Sequence, residues 1–138
     1  MIPASVRLFI ICVILSLTSC ASFPRPLPEE SRKADYGYYP DDYEKIFKAY
    51  VSTILFEPST AEFSYVKGPI KTWIYQHTYY QYGWGVCYLI NTKNYKGGNM
   101  AIYLSFALIY NGEVVDFELD RGDPTSFEMA HFLCSQLY

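Results

Sequence analysis

Apolar side chains recur every three or four residues over one segment that follows Pro40. They stand at Tyr43, Ile46, Phe47, Tyr50, Val51, Ile54 and Leu55. A stripe with this spacing predicts an amphipathic α-helix that buries one face against another element. Asp41 and Asp42 suit the start of this helix, because carboxylates accept hydrogen bonds from its free N–H groups. Pro58 predicts its end, because the residue before a proline avoids helical backbone angles.

The middle of the chain has the composition and alternation of β-strands. Runs of β-branched, aromatic and aliphatic residues occupy 62–67, 71–82, 86–90, 100–110 and 113–119. The breaks between them are Gly68-Pro69, Gly83-Trp84-Gly85, the loop 91–99 and Asn111-Gly112. Asn-Gly between two such runs predicts a tight hairpin. Strands joined in sequence by short turns indicate an antiparallel meander of four or five strands.

A second helix is predicted at the C-terminal end. Asp123-Pro124 has the pattern of a capping residue followed by proline at the first helical position. Residues at helical spacing then follow at Phe127, Ala130, His131, Cys134 and Leu137. The order predicts an α+β domain with an N-terminal amphipathic helix, a four- to five-stranded antiparallel meander and a C-terminal helix. We expect the helices to cover one face of the sheet.

The first twenty residues have the pattern of a secretion signal. Arg7 is followed by an apolar run from Leu8 to Leu17, which at ten residues is too short to span a bilayer comfortably. The run leads into Leu17-Thr18-Ser19-Cys20, which resembles the bacterial lipoprotein signal. The resemblance implies cleavage before Cys20 and acylation of Cys20. An ordinary signal peptide that happens to contain a cysteine is the alternative.

The same resemblance implies where the protein is located. In Gram-negative lipoproteins, a residue other than Asp after the lipidated cysteine directs the protein to the outer membrane, and Ala21 stands at this position. We therefore expect lipid anchoring in the outer membrane, with the domain facing the periplasm. In a Gram-positive host, the same anchor would place the protein on the outer face of its single membrane.

These patterns divide the chain into three parts. Residues 1–19 form the predicted signal peptide, residues 20–39 the lipidated cysteine and a Pro-rich tether, and residues 40–138 a single α+β domain. Pro24, Pro26 and Pro28 favour extended polyproline geometry for the tether. Binding of these prolines to a groove of a partner is the alternative.

The composition excludes several classes of protein. Hydrophobic residues make up 51% of the 138 and charged residues 18%, which is unlike a disordered tail or a coiled coil. A net charge of -3 argues against a nucleic-acid-binding surface, which needs clustered cations. Aromatic content is high, at 19% with 15 tyrosines. Tyrosine can build a core or an adhesive surface, because it joins an apolar ring to a polar hydroxyl.

Two cysteines remain once Cys12 leaves with the signal and Cys20 is acylated. We expect Cys87 and Cys134 to form a disulfide in the oxidising periplasm, and two buried free thiols are the alternative. A metal site would require both cysteines to meet His77 and His131, without any paired spacing to support it. A Cys–His nucleophilic site could use Asp116 or Asp120 to orient the histidine, but the apolar neighbours of Cys87 indicate burial. We expect no catalytic site, metal or cofactor.

Acidic residues cluster near the last predicted strand, at Asp116, Glu118, Asp120 and Asp123. The spacing lacks the glycine and terminal glutamate of a calcium loop. We therefore interpret the cluster as the solvated end of a strand.

An aromatic run in the central strands is the best candidate for a binding surface. Treated as one strand, it places Trp73, Tyr75, His77 and Tyr79 on one face and Tyr80, Tyr82 and Trp84 on the other. Such rings either stabilise the meander as cross-strand pairs or form an exposed surface for proteins or sugars. Asn91 and Asn94 could add polar contacts beside them, although turns also favour asparagine. The candidate surface consists of Tyr75, Tyr79, Tyr80, Tyr82, Trp84, Asn91 and Asn94.

Three segments together resemble a family of small proteobacterial lipoproteins. They are Phe56-Glu57-Pro58-Ser59-Thr60-Ala61-Glu62-Phe63, Trp84-Gly85-Val86-Cys87 and Asn91-Thr92-Lys93-Asn94-Tyr95-Lys96-Gly97-Gly98. The family pattern reads DP-x-SA-x-F, then VC, then N-A-K-N-x-x-G-G-Y. This chain departs from it at Glu57, Thr92 and Asn99. The resemblance implies the fold and an envelope location, but no activity, because the family is functionally uncharacterised.

We therefore expect a non-enzymatic, lipid-anchored accessory or assembly subunit of an envelope complex, such as a secretion or transport machine. It would act through protein–protein contacts. A glycan-binding module for peptidoglycan that uses the same aromatic residues is the second hypothesis. A small periplasmic hydrolase that uses Cys87 or His77 is a remote third.

Overall fold

Four antiparallel strands form one sheet, in the order β1-β2-β3-β4, in the computed structural model of the protein. The structure describes residues 24–93, 98 and 100–137. The elements are α1 (Pro28–Lys33), α2 (Tyr43–Ser52), a 3-10 turn (Pro58–Thr60), β1 (Glu62–Gln76), β2 (Tyr79–Lys93), β3 (Met100–Tyr110), β4 (Glu113–Leu119) and α3 (Pro124–Ser135). The predicted α+β class is confirmed. The predicted signal peptide, Cys20 and Asn94 lie outside the described residues.

The sheet has four strands because two predicted breaks do not end a strand, while a turn at 77–78 divides the predicted run 71–82. Gly83 and Gly85 remain inside β2 and pair with β1. Gly68 and Pro69 lie within β1, where the pairing register shifts. Gly68 has φ +103°, and a Cβ there would collide with the carbonyl oxygen of Gly85, so only glycine fits.

The helices lie on opposite faces of the sheet, so the expectation that they share one face is wrong. On one face, Phe47 and Val51 of α2 pack in a core with Val86, Tyr88 and Ile109. Phe47 stacks on Tyr88 with ring centroids 4.3 Å apart.

On the other face, α3 contributes Leu133, and Leu137 follows just after the helix. Both pack with Ile74, Phe106 and Leu108. Because the central strands are apolar on both faces, as in the buried run 105–109, each face requires a helix to cover it.

A disulfide joins Cys87 in β2 to Cys134 in α3, with Cα atoms 6.0 Å apart. The predicted bond is therefore present, and it fastens α3 to the centre of the sheet. Neither sulfur is a free thiol that could act as a nucleophile or bind a metal.

Part of the segment predicted to be an extended tether is helical. Pro28 occupies the first turn of α1, with Glu29 and Glu30 near its start and Arg32 and Lys33 near its end. This arrangement of charges suits the helix dipole, which explains how a Pro-rich segment forms a helical turn.

Residues 35–39, also assigned to the tether, contact the sheet. The Tyr110 hydroxyl donates to Asp35 Oδ2 at 2.8 Å, and Trp84 Nε1 donates to the Gly37 carbonyl at 3.3 Å. Asn111 Oδ1 accepts from the Tyr38 N–H at 3.3 Å. The packed unit therefore begins before residue 40, where the sequence places the domain boundary.

Candidate binding surface

A tight turn ends the longest hairpin of the fold. Gln76 pairs with Tyr79, so His77 and Thr78 alone connect β1 to β2. His77 has φ +53° in the left-handed region. We call residues 75–79 the hairpin tip. The sequence carries no Gly, Pro or Asn signal here, which is why the run 71–82 was predicted to be one strand.

This turn changes which aromatic residues share a face. Trp73 lies opposite Tyr82 and Tyr75 lies opposite Tyr80. Residues directly opposite in an antiparallel pair point to the same side. The rings of β1 and β2 therefore form one aromatic face, defined by Trp73, Tyr75, Tyr80, Tyr82 and Trp84. Its predicted division into two faces is wrong.

Half of the aromatic face is covered by the chain itself. Tyr36 packs edge-on against Tyr82 at 5.5 Å, and Tyr39 against Trp84 at 5.0 Å. The Lys71 ammonium lies 5.5 Å from the Trp84 ring centroid, where it makes a cation–π contact. These contacts assign Tyr82 and Trp84 mainly to packing.

The accessible aromatic rings are at the hairpin tip. Tyr75 is 44% exposed and Tyr79 53% exposed, whereas Tyr80 is half-buried. Tyr80 supports the tip through ring contacts with Trp73 at 5.4 Å and Tyr75 at 5.0 Å. Partial desolvation raises the pKa of the Tyr80 hydroxyl.

Asn91 does not join this surface. Its Nδ2 donates to Glu62 Oε2 at 3.1 Å, near the start of β1. Twelve residues of β2 separate it from Tyr79, which is roughly 40 Å at about 3.3 Å per residue. Of the seven predicted surface residues, the structure thus places Tyr75 and Tyr79 exposed at the tip, with Tyr80 packed against Tyr75.

Two residues of the acidic cluster are not solvated, which corrects the interpretation as an open strand end. Asp116 and Glu118 are half-buried on the face of β4 that α3 covers. Burial raises the pKa of Asp116, and hydrogen bonds from Gln76 and the Phe117 N–H oppose this shift. Burial also raises the pKa of Glu118, and repulsion from Asp116 adds to it.

The remaining acids of the cluster have structural contacts. Asp123 is the N-cap of α3 and accepts from the Ser126 N–H at 3.0 Å, as the sequence predicts. Asp120 Oδ1 accepts from the Gly122 N–H at 2.9 Å.

The two histidines do not converge with the cysteines. His77 is exposed in the turn, and His131 is exposed on α3, where its ring lies 4.1 Å from that of Phe127. Within the described part of the chain, no three His, Cys, Asp or Glu side chains are grouped to hold a metal. Nor does any helix there have the length and apolar character needed to cross a membrane.

Comparisons with protein families, with curated proteins and with solved structures find no match for the chain.

Proposed function

We propose that this protein is a non-enzymatic, lipid-anchored accessory subunit of a cell-envelope complex, and that it binds a partner protein through its hairpin tip. The exposure of Tyr75 and Tyr79 carries the proposal. Tyrosine is enriched among the residues that dominate binding energy at protein interfaces. Tyr75 and Tyr79 flank the two-residue turn on opposite faces of the hairpin, and each exposes an aromatic ring with a polar hydroxyl that a partner can contact.

The support beneath the tip favours a preformed contact. Tyr80 contacts both Trp73 and Tyr75, and Gln76 Nε2 donates to Asp116 Oδ1 at 2.8 Å. A turn held in this way loses little conformational freedom on binding, so more of the contact energy is available for affinity.

The anchoring part of the proposal rests on Leu17-Thr18-Ser19-Cys20 and Ala21. Acyl chains on Cys20 would hold the domain at the outer membrane, facing the periplasm, because each buried CH₂ contributes about 0.8 kcal/mol. Metabolic labelling with an alkynyl fatty acid tests this part. We expect label on the wild type and none on Cys20→Ala, and label on both would contradict it.

The partner contact is tested by photo-crosslinking in cells. A benzophenone amino acid is placed at Tyr79, and as a control at Phe56, which is an aromatic residue 59% exposed before the opposite end of β1. We expect the probe at position 79 to crosslink one discrete envelope protein. The probe at position 56 should not crosslink that protein. Equal crosslinking from both positions, or none from position 79, would contradict the tip as the contact surface.

The glycan-binding alternative has less support from the geometry. A sugar-stacking platform needs an open ring face, but Tyr36 covers Tyr82 and Tyr39 covers Trp84. The rings of Tyr75 and Tyr80 are also tilted by 53° to each other. A peptidoglycan pull-down that retains the wild type and releases Tyr75→Ala/Tyr79→Ala would favour this alternative over a protein partner.

A further inference from the structure

A cavity of about 330 Å³ lies between the end of β1, strand β4 and α3. Its apolar walls are Ile74, Met129, Phe132 and Leu133, of which Ile74 and Leu133 are nearly fully buried. Trp73 and Tyr75 border the cavity along β1, but their rings point to the opposite, aromatic face of the strand. The volume is at the lower end of the range for small-molecule sites, which are mostly apolar with a few placed polar groups.

The polar part of the cavity is anionic. Gln76, Asp116 and Glu118 line it, and no basic residue does among those described. Asp116 accepts from Gln76 Nε2 at 2.8 Å, which fixes the position of its carboxylate. Arg121 attracts Glu118, but its side chain is exposed and does not line the cavity.

Carboxylates placed beside apolar side chains form an environment that favours organic cations. An ammonium group is attracted by the carboxylates, while its apolar body gains from leaving water. A half-buried carboxylate without a cationic side chain beside it in the cavity is costly in its charged form, and a bound cation would offset that cost. An anionic ligand would meet repulsion from both acids.

We propose that this cavity binds a small organic cation, with an ammonium group at Asp116 and Glu118 and an apolar body against Ile74 and Phe132. This inference goes beyond the proposed protein contact, because the cavity and the hairpin tip share only Gln76 and Tyr75. It would stand if the crosslinking experiment failed.

The test compares three probes of matched size on the full chain, kept unacylated by Cys20→Ser. The probes are n-butylammonium, n-butanol and butyrate, and binding is followed by calorimetry and by the NMR signals of the Gln76 side-chain amide, which donates to Asp116 in the cavity. We expect butylammonium to bind at least tenfold more tightly than butanol, and butyrate not to bind. Equal affinities for the cation and the alcohol would overturn the proposal.

A pair of variants locates the site. Asp116→Asn/Glu118→Gln removes both charges and keeps an acceptor for Gln76. We expect it to lose at least tenfold in affinity for butylammonium and to keep its affinity for butanol, which reports that the cavity is intact. Glu113→Gln is the matched control, since Glu113 is exposed in the same strand outside the cavity. An equal loss in the control, or no loss in the double variant, would overturn the assignment.

The ammonium could come from a soluble amine or from a lipid headgroup. Competition distinguishes these sources. Phosphatidylglycerol vesicles, with and without phosphatidylethanolamine, are added to the protein loaded with butylammonium. Displacement only by the vesicles that contain phosphatidylethanolamine supports a lipid headgroup, and retention of the probe with both supports a soluble amine. The anionic vesicles bind some butylammonium themselves, so a titration of the probe into vesicles alone measures that uptake. Displacement by pure phosphatidylglycerol vesicles beyond this uptake would argue against charge-selective binding.

Discussion

Gln76 and Asp116 are joined by a hydrogen bond of 2.8 Å although they belong to β1 and β4, the two edge strands of the sheet. Two strands lie between them, so the sheet must curl for these side chains to meet. The curl brings the end of β1 over the face that α3 covers and closes one side of the cavity. The contact thus couples the position of the hairpin tip to that of β4.

Removing this contact should loosen the hairpin tip. We expect Gln76→Ala to lower the free energy of unfolding by about 1–3 kcal/mol, because a half-buried carboxylate loses a donor. Urea unfolding measures the loss, and hydrogen exchange of the amides at 77–80 should accelerate. Gln81→Ala is the control. Among the described contacts, the Gln81 side chain makes a hydrogen bond only to the adjacent Tyr82 carbonyl. A similar effect of both changes would argue against a specific link.

The carboxylates of the cavity should make stability depend on pH. Burial raises the pKa of Asp116 and of Glu118, so the folded state holds their protons more tightly than the unfolded state does. Their contribution to stability is full below about pH 4 and is lost as pH rises through the folded pKa values. We therefore expect Asp116→Asn/Glu118→Gln to gain stability relative to the wild type between pH 4 and pH 7, measured by urea unfolding.

Asp35 provides a control of opposite sign. The Gly37 N–H and the Tyr110 hydroxyl lower the pKa of its carboxyl, so its contribution is present above about pH 4 and lost as pH falls. Asp35→Asn should therefore lose stability relative to the wild type as pH rises towards about 4, and the difference should then stay constant between pH 4 and pH 7. The same sign of change in both variants would contradict this assignment.

The disulfide should be a major source of stability. It closes a loop with a sequence separation of 47, for which the chain-entropy account gives about 3–4 kcal/mol. Cys87→Ala/Cys134→Ala should lower the unfolding free energy by about this amount, together with a smaller cost for the lost sulfur packing of buried Cys87. Reduction of the wild type with dithiothreitol should reproduce most of the effect. An unchanged urea midpoint after complete reduction would contradict the prediction.

The docking of residues 35–39 depends on Trp84. Trp84→Ala removes the ring that Tyr39 contacts and the donor to the Gly37 carbonyl. We expect trypsin to cleave after Lys33 several-fold faster, because the segment opens locally more often. Phe56→Ala removes an exposed aromatic residue elsewhere and should leave the rate unchanged. Equal cleavage of the wild type and Trp84→Ala would indicate that the segment is held by other contacts.

The sequence is sufficient where one local pattern decides the structure. The spacing of Phe47 and Val51 predicts α2, Asn111-Gly112 predicts the β3–β4 turn, and Asp123 predicts the start of α3. Each depends on residues a few positions apart. The disulfide was predictable for a different reason, since only Cys87 and Cys134 remain outside the predicted signal and lipid site.

The sequence fails where distant contacts decide. His77 adopts a left-handed backbone angle, although no Gly, Pro or Asn in the sequence predicts a turn there. The turn places Tyr80 on the same face as Tyr75. Asp116 and Glu118 alternate with apolar residues, as on a solvated strand, but α3 covers their face instead. That arrangement follows from the apolar character of both faces of the central strands. It places two acids that the sequence predicts to be at the surface in the wall of the cavity.

The packing of residues 24–39 limits how far the protein can extend from a membrane. Pro24 already lies at the cavity near Trp73, and three residues stand between it and Cys20. If Cys20 carries acyl chains, the four steps from Cys20 to Pro24 can span about 14 Å at full extension, roughly twice the depth of the polar headgroup layer. The domain would then stay at the bilayer surface and diffuse in two dimensions. Any protein or amine that it meets would be encountered in the plane of that membrane.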